Sequence, residues 1–415
     1  MHRGLEIPNK KVYMRLIYSM FLLYIITVAV KITYSAQMVE IAKEFSTGKT
    51  EVGIGLTIYY IVYGVAQLVL SKFVGRINMR HFIVGSIICS SISFGLIVVA
   101  NRLWQLWLIL ALNGVFQSGI FGGCMHFLGK YLPGELEAYA SNVMNVGFAV
   151  GNIMAYAISS AFVAVTKWQD TFMFFAIVQL LMLVVFVKGE SNAKKKVGER
   201  KVERPQREDS EEKNNKASKK AGIVMIVVAA IMFFVTCNQY LLSNWVPNLL
   251  TEVYGLPSSV SILITLFVPL GMVVGSILIV NLCSHGKEQF KVSLIMIAIA
   301  AVVVGILCFT YRANMIFALI LSVVFVVCVR PISSLFGTYT TFRLGKIIEP
   351  ARLSLIGNAF ASIAAAVAPT LSGMVMDNFG WTVYYVSIFI FSIAALIVTY
   401  MGKLVFARML NIKKF

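Results

Sequence analysis

Residues 188–220 read KGESNAKKKVGERKVERPQREDSEEKNNKASKK and lie between two long apolar regions of the chain. The segment contains twelve Lys or Arg and seven Asp or Glu residues, together with Ser, Asn, Gln and Pro. A segment with so much charge and so little hydrophobicity cannot bury a core, and it is expected to stay disordered. It therefore predicts a linker between two folded halves.

Apolar stretches on both sides of the linker are each about 20 residues long, which is enough to cross a bilayer as a helix. The chain of 415 residues is 59% hydrophobic and 13% charged, with a mean hydropathy of +0.83, and this excludes an ordinary soluble globular protein. The twelve stretches, numbered here as spans 1 to 12, fall at residues 15–38, 52–71, 81–100, 103–128, 138–164, 171–187, 221–245, 258–283, 291–311, 313–340, 352–376 and 382–405.

These spans predict an all-α integral membrane protein whose twelve transmembrane helices form two six-helix pseudo-symmetric bundles. The expected parts are an N-terminal bundle at 1–187, a cytoplasmic basic linker at 188–220, a C-terminal bundle at 221–405 and a cytoplasmic tail at 406–415. Span 1 is followed by eleven more spans and by no small-residue cleavage pattern. We therefore expect it to be a retained helix rather than a signal peptide.

The formal net charge of +18 is explained by orientation in the membrane. With both termini in the cytoplasm, 29 Lys and Arg residues lie on inner segments and five lie on outer segments, which is the positive-inside pattern. The outer five are Lys43, Lys49, Arg102, Lys167 and Arg312. The basicity thus indicates a multi-pass protein of the cell (inner) membrane and argues against nucleic-acid binding.

Sequence signals for catalysis, metal or cofactor binding are missing from the chain. The cysteines stand singly, without CxxC pairs or metal-ligand spacing, at Cys89, Cys124, Cys237, Cys283, Cys308 and Cys328. No nucleotide-binding loop, GxSxG motif or paired carboxylates occur. We therefore expect no cofactor, no metal and no enzymatic activity.

An internal repeat relates the two halves. The tripeptide Leu-Gly-Lys at 128–130 recurs at 344–346, and Asn142 and Asn358 follow it at equal distance. Trp168 and Trp381 precede the last span of each half. An offset of 213 to 216 residues therefore relates spans 4 to 6 with spans 10 to 12, as expected of duplicated six-helix units.

Two six-helix repeats joined by a basic linker resemble the major facilitator superfamily. This resemblance implies alternating access, with a midplane cavity lined by spans 1, 4, 7 and 10 and flanked by spans 2, 5, 8 and 11. Three stretches are similar to the organophosphate:phosphate antiporter family, in particular its glycerol-3-phosphate transporter-like members. They are YGVAQLVLSKFVGRINMRHF at 63–82, NGVFQSGIFGG at 113–123 and NWVPNLLTEVYG at 244–255.

The arginines with which that family binds phosphate are not matched. The arginine of span 1 falls on Val30, with Lys31 at the adjacent position, and the arginine of span 7 falls on Gln239. The histidine of span 5 falls on Met144 or Asn145. A bidentate arginine clamp for phosphate is therefore not reproduced.

Lys31 in span 1 and Arg330 in span 10 are the basic residues well inside the spans, and no Asp or Glu falls clearly inside one. A charge at the centre of a spanning helix costs roughly 3 kcal/mol on insertion scales, so an anionic substrate is the simplest partner. Helical spacing places Lys31 on a polar stripe with Tyr24 and Tyr34. Helix arithmetic places Lys31 towards the outer side and Arg330 towards the cytoplasm, so they act either at one site or in sequence.

Both cations also have structural interpretations. Lys31 could extend to the outer interface, as long basic side chains do at helix ends. Arg330 could bond to backbone carbonyls left free around Pro331.

Amide side chains on the cavity-lining spans provide further hydrogen-bonding groups, although such amides also hold helices together. The predicted substrate-binding residues are Lys31, Arg330, Tyr34, Tyr24, Asn113, Gln117, Asn145, Asn238, Gln239 and Asn358.

These features predict a secondary active or facilitative transporter of a small organic anion, phosphorylated or carboxylated, that works by exchange or uniport. Two alternatives stay open: an exporter of a neutral or amphipathic compound, and a transporter-like membrane receptor that senses an anionic ligand. The expected partners are the small anionic substrate and the lipid bilayer. We expect no nucleic acid and no obligate protein partner, and hence a monomer.

Overall fold

A computed structural model describes residues 9–73, 77–198, 215–284, 289–336 and 350–410. All regular secondary structure within these ranges is helical. The all-α prediction is thereby confirmed for the described part of the chain.

The helices that precede the linker follow the first six spans. They are α1 (Lys10–Glu44), α2 (Lys49–Phe73), α3 (Met79–Gly95), α4 (Leu103–Gln117), α5 (Ile120–Tyr131), α6 (Gly134–Val165) and α7 (Trp168–Val197). Helices α4 and α5 together make span 4, and they are separated at Gly119. A short 3₁₀ turn, Leu96–Val99, follows α3.

The helices that follow the linker show more breaks than the spans predicted. They are α8 (Asn215–Ser243), α9 (Val246–Glu252), α10 (Ser258–Ile264), α11 (Phe267–Ser284), α12 (Gln289–Thr310), α13 (Met315–Ser334) and α14 (Pro350–Leu410). Pro247 lies in the first turn of α9 and Pro269 in the first turn of α11. Because proline lacks the amide hydrogen that would continue the preceding helix, α8 ends near the end of span 7 and α9 follows it as a separate helix, while span 8 is divided between α10 and α11.

The described helices account for twelve membrane crossings, because the last of eleven apolar segments is divided in two. Eleven helical segments are long and apolar enough to cross a bilayer, and the last of them, Gly357–Arg408, has 52 residues. Gly380 interrupts this segment with a non-helical φ of 78°, a conformation that glycine adopts without a steric penalty. Trp381 therefore begins the twelfth crossing as Trp168 begins the sixth, in agreement with the internal repeat.

The chain forms two compact units. Unit 1 contains Met1–Tyr34 and Val65–Asp209, and unit 2 contains Ser35–Gly64 and Ser210–Phe415. The C-terminal end of α1, from Ser35, and the first part of α2 thus pack with the helices that follow the linker. The assignment of residues 1–187 and 221–405 to two six-helix bundles stays a prediction.

Each unit has an apolar interior with close helix contacts. In unit 1, Leu16 and Met20 of α1 belong to one buried cluster with Phe127 and Phe186. In unit 2, α8 and α12 pack against α14, and α11 packs against α13. A Cβ added to Gly275 of α11 would lie 2.4 Å from a backbone oxygen of α13, which is the small-residue packing typical of membrane helices.

The predicted disorder of the linker is wrong at both ends of the segment. Helix α7 continues to Val197 and α8 begins at Asn215. Glu190 and Ala193 are buried, and the lysines at 194–196 occupy the last turn of α7, where cations complement the helix dipole. The part of the linker at 199–214 and the second Leu-Gly-Lys at 344–346 lie outside the described residues.

Candidate functional site

Lys31 lies on α1 in unit 1 and is partly buried between apolar neighbours. Val30 and Ile32 on either side of it are buried, and Tyr34 is 1% exposed. The Tyr24 ring, two turns earlier, lies 4.9 Å from the Phe121 ring of α5. The polar stripe predicted on α1 is therefore packed in part against neighbouring helices of its own unit.

Arg330 lies on α13 in unit 2, and its guanidinium contacts the following turn. Nη1 donates a hydrogen bond to Ser333 Oγ at 2.8 Å, and Ser333 Oγ donates to the Arg330 carbonyl at 2.8 Å. The guanidinium thus bonds to a hydroxyl beside Pro331. This contact agrees in part with the structural interpretation of Arg330, in which the guanidinium bonds to groups around Pro331. A substrate-binding role for Arg330 stays a prediction.

Asn113 and Gln117 of α4 are joined to α3 by a buried network in unit 1. Ser90 Oγ donates to Asn113 Oδ1 at 2.8 Å and accepts from Gln117 Nε2 at 3.2 Å. Asn113 Nδ2 donates to Ser93 Oγ at 2.8 Å. Gln179 of α7 accepts a 3.3 Å bond from Ser91 through its Oε1 atom. The two amides therefore help to hold α3, α4 and α7 together, and a substrate contact from either stays a prediction.

Asn238 and Gln239 are both buried on α8 in unit 2. Asn238 Oδ1 accepts a 2.7 Å bond from Ser392 of α14, and its Nδ2 atom donates to the Phe234 carbonyl at 2.9 Å. Next to them, the Tyr240 ring lies 5.6 Å from the Tyr60 ring of α2. This part of α8 therefore contacts α14 through a hydrogen bond and α2 through aromatic rings.

Asn358 differs from the other amides because it is exposed on α14. Its backbone carbonyl accepts a 2.9 Å bond from Ser362 Oγ, so the two residues share a face, as the spacing predicts. Asn145 lies in α6, and its side chain is outside the described structure. Lys31 and Arg330 belong to different units.

A buried carboxylate at the end of α7 was missed by the sequence analysis. Glu190 is 3% exposed. Its Oε1 atom accepts a 3.0 Å bond from the Tyr131 hydroxyl, and its Oε2 atom lies 3.3 Å from Arg80 Nη1. Glu190 lies three residues beyond span 6 among the charged residues of the predicted linker, so the sequence alone does not indicate that it is buried.

A second charged cluster, also missed, lies in unit 2. Lys49 Nζ is 3.0 Å from Glu252 Oε1 and 3.8 Å from Asp377 Oδ1. The other Glu252 oxygen accepts a 3.1 Å bond from Trp381 Nε1. The three residues lie far apart in the sequence, each near an apolar span, so only the tertiary structure brings them together.

The described residues contain no group of three or more His, Cys, Asp or Glu side chains that could hold a metal ion. The polar groups of the contacts described above are mainly amides, hydroxyls and guanidinium, ammonium or carboxylate groups. Such groups can bind and orient a polar solute through hydrogen bonds and charge.

Curated relatives with similar sequences are named as transporters. The chain is 20% identical over 196 residues to a protein of Chlamydia trachomatis named a probable hexose phosphate transport protein, and covers 43% of it. It is 23% identical over 150 residues to the glycerol-3-phosphate transporter of Bacillus subtilis, covering 34% of it, and 21% identical over 182 residues to an Agrobacterium vitis protein named a candidate tartrate transporter, covering 42% of it. These matches cover 35% to 47% of this chain, and the chain spans less than half the length of these relatives.

Solved structures share the whole fold. A bacterial homolog of the human lysosomal transporter Spinster, solved in an inward-facing and unoccupied conformation, matches with a TM-score of 0.75 and 14% identity. That match covers 97% of this chain and 99% of the homolog. The nucleoside transporter NupG matches with a TM-score of 0.65 and 13% identity, covering 95% of this chain and 99% of NupG.

The family model described as Major Facilitator Superfamily matches residues 20–347, which run from within span 1 to beyond the end of span 10. The two six-helix repeats, the basic segment between them and the twelve crossings agree with that match. This chain belongs to the Major Facilitator Superfamily.

Proposed function

We propose that this protein is a secondary transporter of a small organic anion, phosphorylated or carboxylated, and that it works by alternating access. The observation that carries the proposal is the presence of two basic side chains, Lys31 and Arg330, inside hydrophobic helices of a Major Facilitator Superfamily protein. Ionisable groups at membrane depth are costly and usually mark the path of a solute.

Lys31 supplies a compact positive charge in unit 1. It stands between the buried residues Val30 and Ile32 and is itself partly buried. An ammonium group in such surroundings is weakly screened by solvent, so it attracts an anion more strongly than an exposed lysine does. Because the ammonium group is a point charge with three hydrogen-bond donors, it can bind phosphate and carboxylate groups alike.

Arg330 supplies a second charge in unit 2. Its Nη1 atom donates to Ser333, and a planar guanidinium matches the geometry of a carboxylate or phosphate group. The contact with Ser333 restricts the side chain and lowers the entropy that would be lost on binding. We infer that the local bond positions the guanidinium for an anion.

The names of the relatives support an anionic substrate and leave its class open. They name hexose phosphate, glycerol-3-phosphate and tartrate, which share negative charge and hydroxyl groups. The amides and tyrosines predicted at the site supply donors and acceptors suited to those hydroxyls. We propose a monomer in the cell membrane with both termini in the cytoplasm.

The first test is a binding screen by thermal unfolding of the purified protein. A ligand at about 100 times its Kd stabilises the folded state by about 2.7 kcal/mol. The panel contains phosphate esters, hexuronates, dicarboxylates and a neutral analogue of each. We expect anions to raise the unfolding midpoint and their neutral analogues to have no effect.

Charge variants then locate the interaction. We expect Lys31→Ala and Arg330→Ala each to weaken anion binding by at least about tenfold, as for the loss of a desolvated charge contact. The matched controls Lys167→Ala and Arg312→Ala remove the same side-chain types at exposed positions and should leave binding unchanged. Equal stabilisation by neutral analogues, or equal losses in the controls, would contradict the proposal.

A further inference from the structure

The first part of α2 packs along α14 within unit 2. Thr57 Oγ1 lies 2.7 Å from Thr370 Oγ1 and also donates to the Ala366 carbonyl. A Cβ added to Gly53 would lie 2.8 Å from the Pro369 carbonyl oxygen, and one added to Gly373 would lie 2.6 Å from the Lys49 carbonyl oxygen. The two helices thus touch backbone to backbone over several turns.

The N-terminus of α2 is capped from α14 rather than from its own sequence. Residue 48, which precedes α2, is a glycine and has no side chain to accept hydrogen bonds from the first amides. Asp377 replaces it: Oδ1 accepts from the Lys49 amide at 3.1 Å, and Oδ2 accepts from the Thr50 amide and the Thr50 hydroxyl, both at 2.7 Å. A carboxylate at this position satisfies amides that lack helical partners and interacts favourably with the helix dipole.

Charge pairs surround this cap. Lys49 bridges Asp377 and Glu252, at 3.8 Å and 3.0 Å, and Glu252 also accepts from Trp381. The side chains of Lys49, Asp377 and Glu252 are 17%, 25% and 39% exposed. Solvent therefore reaches the cluster, although the hydrogen bonds that Asp377 accepts are short.

The cluster joins the two sequence halves at one side of the membrane. Lys49 precedes the linker, whereas Glu252 and Asp377 follow it. The distribution of basic residues predicts that Lys49 lies on the outer side. Contacts at this position must separate if α2 and α14 are to part on that side.

We propose that Asp377 is a charge-dependent latch: its carboxylate, by capping α2 and pairing with Lys49, holds α2 against α14 and keeps the outer side of the transport path closed. The inference rests on the proposed function, because a latch matters only where the path opens alternately. Asp377 acts as a positioning residue for α2 and does not contact substrate. The glycine contacts supply close fit, and the carboxylate supplies the charge on which closure depends.

The test measures access to the α2–α14 contact from outside. Thr57→Cys places a thiol inside that contact, and a membrane-impermeant maleimide is added to intact cells. We expect slow labelling in the Thr57→Cys chain and about fivefold faster labelling when Asp377→Ala is added, the effect of losing one helix cap. Asp377→Asn, which keeps an acceptor and loses the charge, should fall between them.

Two controls keep the outcome interpretable. The chain without Thr57→Cys gives the background of the native cysteines. Asp170→Ala removes another carboxylate, one that accepts a 3.3 Å bond from the Lys167 amide of its own helix end, and it should not change labelling. An unchanged rate with Asp377→Ala, or an equal rise with Asp170→Ala, would overturn the latch.

A second measurement tests the latch even if the Asp377→Ala variant fails to fold. Thr57→Cys with Thr370→Cys should form a disulfide, since the two hydroxyls are 2.7 Å apart, and Asp377→Asn should lower its yield in protein that elutes as a single species. An unchanged yield would overturn the latch. Because labelling and cross-linking need no substrate, an absence of flux would reject the proposed transport and leave these readouts intact.

Discussion

Asn113 shows how one buried amide can link several helices. It is 0% exposed, and its oxygen and nitrogen are both bonded to serines of α3. Interhelical hydrogen bonds in membranes average roughly 0.6 kcal/mol, and a typical intramolecular hydrogen bond contributes about 0.5–1.5 kcal/mol net. Asn113 therefore stabilises the protein by adding two buried hydrogen bonds between α4 and α3, beside the other bonds that Ser90 and Ser93 make.

Asn113→Ala should accordingly lower the free energy of unfolding by about 1–3 kcal/mol, since it removes the two buried hydrogen bonds from Asn113 to Ser90 and Ser93. Asn358→Ala, at an exposed amide, should leave the unfolding midpoint near that of the wild type. Thermal unfolding followed by tryptophan fluorescence measures both. Equal midpoints for the two variants would contradict the packing role of Asn113.

Glu190 illustrates a residue whose environment the sequence does not show. Local composition assigned it to a charged linker, but the structure buries it against Tyr131 and Arg80. The partners come from α5 and the start of α3, far away in sequence. Because Arg80 is 37% exposed, solvent screens much of this pair, and the Tyr131 bond is the firmer contact.

Helix contacts in unit 1 depend on glycines where two backbones approach. A Cβ added to Gly151 of α6 would lie 2.7 Å from the Ile25 carbonyl oxygen of α1, whereas one added to Gly85 of α3 meets nothing within 4 Å. The same substitution should therefore have opposite effects at the two positions.

Gly151→Ala is expected to destabilise the protein by about 1–3 kcal/mol, because the added methyl forces α1 and α6 apart. Gly85→Ala should be neutral or stabilise by about 0.5–1 kcal/mol, since alanine favours a helix more than glycine does. Thermal midpoints of the two variants provide the comparison. A Gly151→Ala protein as stable as Gly85→Ala would show that α1 and α6 do not pack as described.

The helices were predictable from the sequence because hydrophobic length alone identifies a crossing. Trp168 and Trp381 likewise marked the starts of the sixth and twelfth crossings. The divisions at Pro247 and Pro269 are local consequences of proline that length alone does not reveal. The extension of α7 to Val197 depends on burial of Glu190 and Ala193, which is a tertiary effect.

At the scale of the molecule, twelve crossings and the family match agree with what the internal repeat predicted. The substrate was less predictable because anion recognition depends on a few side chains. Val30 and Gln239 stand where related carriers are expected to have arginine, so the resemblance does not specify the anion. The proposed latch at Asp377 joins two sequence halves and could not be read from either half alone.

Counterflow in proteoliposomes tests the proposed transport most directly. Vesicles loaded with one anion of the panel are diluted into its labelled form, and accumulation of label is measured for the wild type, for Lys31→Ala with Arg330→Ala, and for Lys167→Ala with Arg312→Ala. We expect saturable accumulation of a phosphate ester or carboxylate in the wild type and in the exposed-charge control. We expect a loss of at least about 100-fold in the Lys31 and Arg330 double variant, as for two desolvated charge contacts. Full counterflow by that double variant would contradict the proposed role of the two charges. Anion binding by the wild type without any flux would contradict the proposed transport.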